Sequence, residues 1–94
     1  MSDGGQEWRI NIHREPEKVL RRLPKNLRTR IWAKIRELKT DPRPDGCKKL
    51  SGTQYDNLYR VRVSSWRISY AIEDEKLIIL VLEIAPRGDA YRKF

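Results

Sequence analysis

Two stretches of the chain alternate apolar and polar residues, which is typical of β-strands that bury one face. The first covers residues 8–13, and the second, residues 58–70, reads LYRVRVSSWRISY. Two serines interrupt the second stretch, so the pattern predicts two strands joined by a tight bend. Because successive strand side chains point to opposite sides of a sheet, one face collects apolar side chains and the other collects arginines. Those arginines are Arg60, Arg62 and Arg67.

Helical spacing dominates residues 16–39. Pro16 suits the first turn of a helix that ends before Pro24, since proline is tolerated at a helix start and breaks a helix interior. A second helix is predicted over residues 25–39, where apolar residues recur three or four positions apart, as on an amphipathic helix packed on a sheet. They are Leu27, Ile31, Ile35 and Leu38.

The other segments complete the order of elements. Residues 40–47, TDPRPDGC, contain two prolines and an Asp-Gly pair, and they predict a loop. Residues 77–84 are apolar apart from Glu83 and predict the central strand of a sheet. We predict a small α+β domain over residues 8–94, with two helices on one face of a mainly antiparallel four-stranded sheet. Residues 1–7 are expected to be a flexible leader.

The charge balance favours anionic partners. The 94 residues carry 21 Lys and Arg against 13 Asp and Glu, which gives a formal net charge of +8. Nucleic acid, an anionic membrane surface and an acidic protein all satisfy such a charge, and net charge alone does not choose among them.

Basic residues are concentrated in the predicted helices. Nine of them, against one acidic residue, lie between Lys18 and Lys39. A solvated helix face explains this excess as readily as phosphate binding does. If the helices and the sheet arginines bind phosphates together, binding to RNA or to the ribosome should weaken steeply with salt. The candidate contacts outside the hairpin are Arg28, Lys34, Lys48 and Lys49.

Few residues are available for conventional catalysis. Cys47 is the only cysteine and His13 the only histidine, so neither a disulfide nor a metal site is predicted, and a reducing cytoplasm fits best. No apolar run is long enough to span a bilayer. We therefore expect no cofactor, no metal and no membrane partner.

A cationic site without a metal can still cut RNA, because the 2′-hydroxyl of RNA is itself a nucleophile. Fixed cations stabilise the dianionic transition state that forms when this hydroxyl attacks the adjacent phosphate. Arginine holds phosphate in bidentate contacts but keeps its proton, so it makes a poor base. Proton transfer then falls to a tyrosine whose phenolate the guanidinium groups would stabilise. The candidate catalytic set is Arg60, Arg62, Arg67, Arg87 and Tyr91.

With these residues the chain resembles the RelE/ParE superfamily of toxin-antitoxin toxins. The resemblance covers residues 8–94 in element order and is most specific in LPKNLRTRI, KKLSG, LYRVRVSSWRISYAI and EIAPRGDAY. In the RelE branch it implies a ribosome-dependent, metal-independent endoribonuclease that cleaves mRNA in the decoding site. The basic residues of that branch on the second and third strands, its arginine after the fourth strand and its C-terminal tyrosine fall on the five candidates above. The implied partners are a cognate acidic antitoxin and mRNA on the ribosome, with contacts to ribosomal RNA.

The chain also departs from the RelE pattern. RelE enzymes often carry lysine where this chain has Arg60 and Arg62, and a lysine can release a proton where an arginine cannot. The ParE branch implies a different activity, the non-enzymatic inhibition of DNA gyrase. A basic binding module without activity is the third interpretation. The presence of Arg67, Arg87 and Tyr91 together favours the nuclease.

Overall fold

The computed structural model describes residues 8–50 and 57–86. In this part of the chain two helices and five strands follow one another. In chain order they are β1 (Arg9–Ile12), α1 (Arg14–Arg22), α2 (Lys25–Leu38), β2 (Lys48–Lys49), β3 (Leu58–Val63), β4 (Trp66–Glu73) and β5 (Ile78–Pro86).

The strands form a single mixed sheet in the order β1-β5-β4-β3-β2. β1 runs parallel to β5, and the other neighbouring pairs are antiparallel. The predicted α+β class and the mainly antiparallel sheet are confirmed.

Two predictions about the sheet are wrong. The sheet has five strands and not four, because Lys48 and Lys49 pair with Arg60 and Tyr59. Two residues are too few to show an alternating pattern, so the sequence carries no strand signal there. The middle strand is β4, whereas β5 lies between β1 and β4. Both are interior strands, and an apolar run marks an interior strand without showing its place in the order.

Both helices pack on the same face of the sheet, which we call the helix face. α1 lies near β5 and α2 near β3, and Pro16 sits in the first turn of α1, as predicted. The predicted stripe on α2 is confirmed, because Ile31, Ile35 and Leu38 are buried. Together with Leu20 they meet the apolar side chains of the sheet in one core, which includes Val61, Ile68, Tyr70, Ile72, Ile79, Val81 and Ile84.

A β-bulge keeps the core continuous along β5. Tyr70 pairs with Val81 and Ser69 with Glu83, so β5 carries Leu82 as an extra residue. Val81 and Ile84 consequently both lie in the core, although three positions separate them.

The loop between α2 and β2 is held against the sheet by a core tyrosine. The hydroxyl of Tyr70 donates a hydrogen bond of 2.8 Å to the backbone carbonyl of Pro42. Burial of Tyr70 raises the pKa of its hydroxyl well above the ordinary value, and the neighbouring Cys47 thiol raises this pKa further. The fold therefore favours the protonated phenol, which is the form that can donate to the loop.

The buried phenol predicts a loss of stability in alkali. An unfolded chain releases the Tyr70 proton near the ordinary pKa of 10.0, while the folded chain retains it. The free energy of unfolding should therefore fall as the pH rises above about 10. Tyr70→Phe should cost about 0.5–1.5 kcal/mol at neutral pH through the lost hydrogen bond, and its alkaline decline should be shallower.

Urea unfolding of both proteins at a series of pH values measures the cost at neutral pH and the alkaline decline. The other titrating groups are the same in the two proteins, so the difference between their declines reports on Tyr70. An alkaline decline of the same steepness in Tyr70→Phe and in the unchanged protein would contradict the assignment to Tyr70.

Candidate nucleic-acid site on the arginine hairpin

The hairpin of β3 and β4 sets the positions of three arginines. Val63 pairs with Trp66, so two serines form the turn, as predicted. Ser64 takes up the left-handed backbone conformation, with φ at 58°, which tight hairpin turns require. This register places Arg62 directly opposite Arg67.

All three arginines lie on the sheet face away from the helices, which we call the arginine face. Their neighbours along the strands, such as Val61 and Ile68, are buried in the core on the helix face, so the predicted alternation is confirmed. Like charges opposite each other on paired strands repel. An anion bound between the guanidinium groups would remove this repulsion and gain charge-assisted hydrogen bonds.

A cleft of about 270 Å³ opens beside the arginine hairpin. β2 pairs with Tyr59 and Arg60, whereas β3 continues to Val63, so the cleft lies where the shorter strand ends. Five cationic side chains and one carboxylate reach it. The residues that line this cleft are Lys34, Asp45, Gly46, Lys48, Arg60, Val61, Arg62 and Arg67.

Lys34 reaches the cleft from α2. Its side chain is half-buried, and its Nζ lies 3.1 Å from Oε1 of Glu37, one turn along the same helix. This contact orients the lysine. The cationic cleft is thus formed by the helix layer as well as by the sheet.

A second hollow, of about 240 Å³, adjoins the cleft at the hairpin turn. It is lined by Arg62, Ser64, Ser65, Trp66 and Arg67. Arg62 and Arg67 line both spaces and therefore stand between them. An aromatic side chain next to guanidinium groups is a common composition of single-stranded nucleic-acid sites.

Two buried polar residues lie level with Arg60 across the sheet, on strands β4 and β5. Arg60 pairs with Ser69, and Ser69 pairs with Glu83. Both partners are buried, at 1% and 7% exposure, and the Ser69 hydroxyl has no hydrogen-bond partner among the described residues. Glu83, which interrupts the apolar run of β5, thus brings a carboxyl group to the arginine face.

Arg43 fastens the loop before β2 to the end of the sheet. Its Nη2 lies 3.0 Å from Oδ2 of Asp74, and its Nε donates a hydrogen bond of 3.2 Å to the Tyr59 hydroxyl. The guanidinium also lies over the Tyr59 ring, 5.1 Å from the ring centre. Two hydrogen bonds raise the pKa of Arg43, and the one with Asp74 contributes more than the one with Tyr59. These contacts fix the loop that leads into the cleft.

The remaining site predictions have different outcomes. Lys34 and Lys48 line the cleft, whereas Arg28 and Lys49 are not among its lining residues. Arg87 and Tyr91 lie outside the described residues. Sequence reasoning missed three lining residues. The alternation places Val61 on the apolar face, and Asp45 and Gly46 belong to residues 40–47, whose composition predicts only a loop. The signal that could have found the latter two is the Asp-Gly pair, which Cys47 separates from the two lysines of β2.

The described ranges, 8–50 and 57–86, provide neither a metal site nor a membrane-spanning helix. No three His, Cys, Asp or Glu residues in them lie close enough together to hold a metal ion. Neither of the helices found there is long and apolar enough to cross a bilayer.

Comparisons with known proteins agree with this fold. Residues 10–91 match the family model of the ParE toxin of the type II toxin-antitoxin system parDE. A relative from Methanocaldococcus jannaschii, named as a RelE1 toxin, is 32% identical over 92% of this chain and 97% of its own length.

Solved structures show the same architecture. The archaeal RelE–RelB complex from Pyrococcus horikoshii matches with a TM-score of 0.77 and 33% identity, covering 89% of this chain and 99% of that one. A mutant E. coli toxin RelE in the free state matches with a TM-score of 0.73 and 22% identity, covering 89% and 87%; at this identity the likeness shows the fold alone. The chain belongs to the RelE/ParE superfamily of toxins of type II toxin-antitoxin systems.

Proposed function

We propose that this toxin is a ribosome-dependent, metal-independent endoribonuclease that cuts mRNA in the cytoplasm. The observation that carries the proposal is the pair of Arg62 and Arg67, which face each other across the hairpin in a cleft lined by three further cations. Such an arrangement suits a phosphodiester, because each guanidinium can make two parallel hydrogen bonds to phosphate oxygens.

RNA is the substrate class that this cleft supports best. None of the described residues that line the cleft is a serine, cysteine or histidine that could act as a nucleophile. The 2′-hydroxyl of RNA supplies that nucleophile. Trp66 in the adjoining hollow offers an aromatic surface for a neighbouring base.

The residues would divide the work as follows. Arg60 and Arg62 hold the RNA backbone, and Arg67 stabilises the five-coordinate phosphorus of the transition state. Arg87 neutralises or protonates the leaving 5′-oxygen, and Tyr91 serves as a base or as a stacking platform. The last two roles rest on the sequence and on the family resemblance, because both residues lie outside the described ranges.

Two kinds of partner accompany the activity. The relatives from Pyrococcus horikoshii and Methanococcus jannaschii were solved as complexes with a RelB antitoxin, and we propose a cognate acidic antitoxin for this chain as well. Arg28, Lys34, Lys48 and Lys49 would contact mRNA or ribosomal RNA. An acidic antitoxin segment over the cleft would compete with that RNA for the same charges.

A second candidate function is the inhibition of DNA gyrase without catalysis. It is favoured by the match of residues 10–91 to the ParE family model. Induction of the toxin separates the two candidates. A rapid halt of translation with mRNA cut within codons supports the nuclease, and gyrase-linked DNA breaks with a DNA-damage response support the gyrase inhibitor.

Removal of Arg67 tests the proposed function directly. Arg67→Ala, and separately Arg87→Ala, should lower the rate of mRNA cleavage on the ribosome about 100- to 1,000-fold, because each removes a fixed cation from the transition state. Cleavage of ribosome-bound mRNA by purified protein, and growth arrest on induction, are the two measurements.

Arg9→Ala is the matched control. Arg9 is an exposed arginine on β1, at the opposite edge of the same sheet, so this variant loses the same charge far from the cleft and should cut at the unchanged rate. Equal toxicity and equal cleavage in Arg67→Ala and Arg9→Ala would refute the nuclease assignment.

A further inference from the structure

The proposed reaction needs a group that accepts the proton of the 2′-hydroxyl, and the cleft offers few. Arginine keeps its proton at any ordinary pH. The Lys34 ammonium is occupied by Glu37, at 3.1 Å, and neither Gly46 nor Val61 has a titratable side chain. Of the residues that line the cleft, Asp45 and Lys48 are left. Asp45 is the one carboxylate among them, and carboxylates are common general bases in enzymes.

A tight turn presents Asp45 to the cleft. The backbone N–H of Cys47 donates a hydrogen bond of 3.1 Å to the carbonyl of Pro44, which closes a four-residue turn with Asp45 and Gly46 in the middle. Gly46 has φ at +89°, the conformation that glycine adopts at this turn position without strain. The Asp45 side chain is exposed to solvent and can therefore reach a bound RNA.

The flanking chain fixes this turn on both sides. Ahead of it, Pro42 accepts the hydrogen bond of Tyr70, and Arg43 binds Asp74 at 3.0 Å. After it, Lys48 pairs with Arg60 on β3. A catalytic group contributes most when its position is set before the substrate binds. The turn that carries Asp45 meets this condition, since both of its ends are tied to the sheet.

We propose that Asp45 is the general base of RNA cleavage, an inference that rests on the proposed nuclease function. Its carboxylate takes the proton of the 2′-hydroxyl, and the 2′-oxygen forms a bond to the adjacent phosphorus. The bond from phosphorus to the 5′-oxygen breaks, and the leaving 5′-oxygen takes a proton from water. The products are a 2′,3′-cyclic phosphate and a 5′-hydroxyl.

With this assignment, phosphate binding and proton transfer belong to different residues of the cleft. Arg62 and Arg67 hold the non-bridging oxygens of the phosphate, while Asp45 lines the cleft from the loop before β2. Tyr91 is then not needed as the base and can act as a stacking platform. The assignment also accounts for proton transfer in a chain that has arginine at positions 60 and 62, because arginine keeps its proton.

Single-turnover cleavage of a 5′-labelled mRNA on purified ribosomes tests the proposal, with full-length Asp45→Asn as the central variant. Loss of the base should lower the rate about 100-fold or more. Binding of the toxin to the mRNA–ribosome complex should stay equal or become tighter, because the variant removes a negative charge from among five cations. Asp45→Glu, which restores a carboxylate, should recover most of the lost rate.

Asp41→Asn is the matched control, because Asp41 lies in the same loop but is not among the residues that line the cleft. Its Oδ1 accepts a hydrogen bond from the Arg43 backbone N–H, and asparagine keeps that acceptor. This variant should cut at the unchanged rate. Thermal unfolding of each variant shows whether it is folded.

The outcomes separate the two proposals. If Arg67→Ala loses cleavage and Asp45→Asn cuts at the full rate, the nuclease stands and Asp45 is not its base. If Asp45→Asn cuts more slowly only because it binds more weakly, the assignment is also overturned. Lys48 is the other candidate base in the cleft, so a larger loss of cleavage rate in Lys48→Arg than in Asp45→Asn would likewise overturn it. If the unchanged protein does not cut mRNA on the ribosome, the proposed function itself fails.

Discussion

The pairing of β3 with β4 fixes the position of every arginine that the structure shows in the cleft. Arg62 and Arg67 face each other because two serines make the turn and Val63 pairs with Trp66. A slip of the register by one residue would turn these arginines toward the core and Val61 toward solvent. Burial of the apolar residues on the helix face therefore holds the charges in place, even though like charges opposite each other repel. The stability of the core thus maintains the group of positive charges that lines the cleft.

The features that could be predicted from the sequence are those that a local pattern of residues determines. The alternation around Arg60 and Arg62 is a local pattern of period two, and the stripe of Ile31, Ile35 and Leu38 on α2 is a local pattern of helical period. Both predictions are confirmed. The two-residue strand of Lys48 and Lys49 carries no period and becomes visible only through its pairing with β3.

The cleft itself depends on contacts between residues far apart in the chain. Lys34 and Asp45 enter it from a helix and a loop, and their approach to β3 follows from how α2 packs and how Tyr70 and Arg43 hold the loop. No spacing in the sequence encodes those contacts. The alternation indicates that Arg62 and Arg67 belong together, but not that a carboxylate lies beside them. The predicted roles of Arg87 and Tyr91 stay predictions, because both residues lie outside the described ranges.

The chemistry follows from what the cleft contains. In the proposed reaction its cations hold and stabilise a phosphodiester and the RNA supplies the nucleophile, so that reaction should leave a characteristic pair of ends. The most direct measurement is the chemical identity of those ends after the toxin has acted on ribosome-bound mRNA. We expect a 2′,3′-cyclic phosphate, or its hydrolysed 3′-phosphate, on the upstream fragment and a 5′-hydroxyl on the downstream fragment. A 3′-hydroxyl with a 5′-phosphate, or intact mRNA beside broken DNA, would contradict the account.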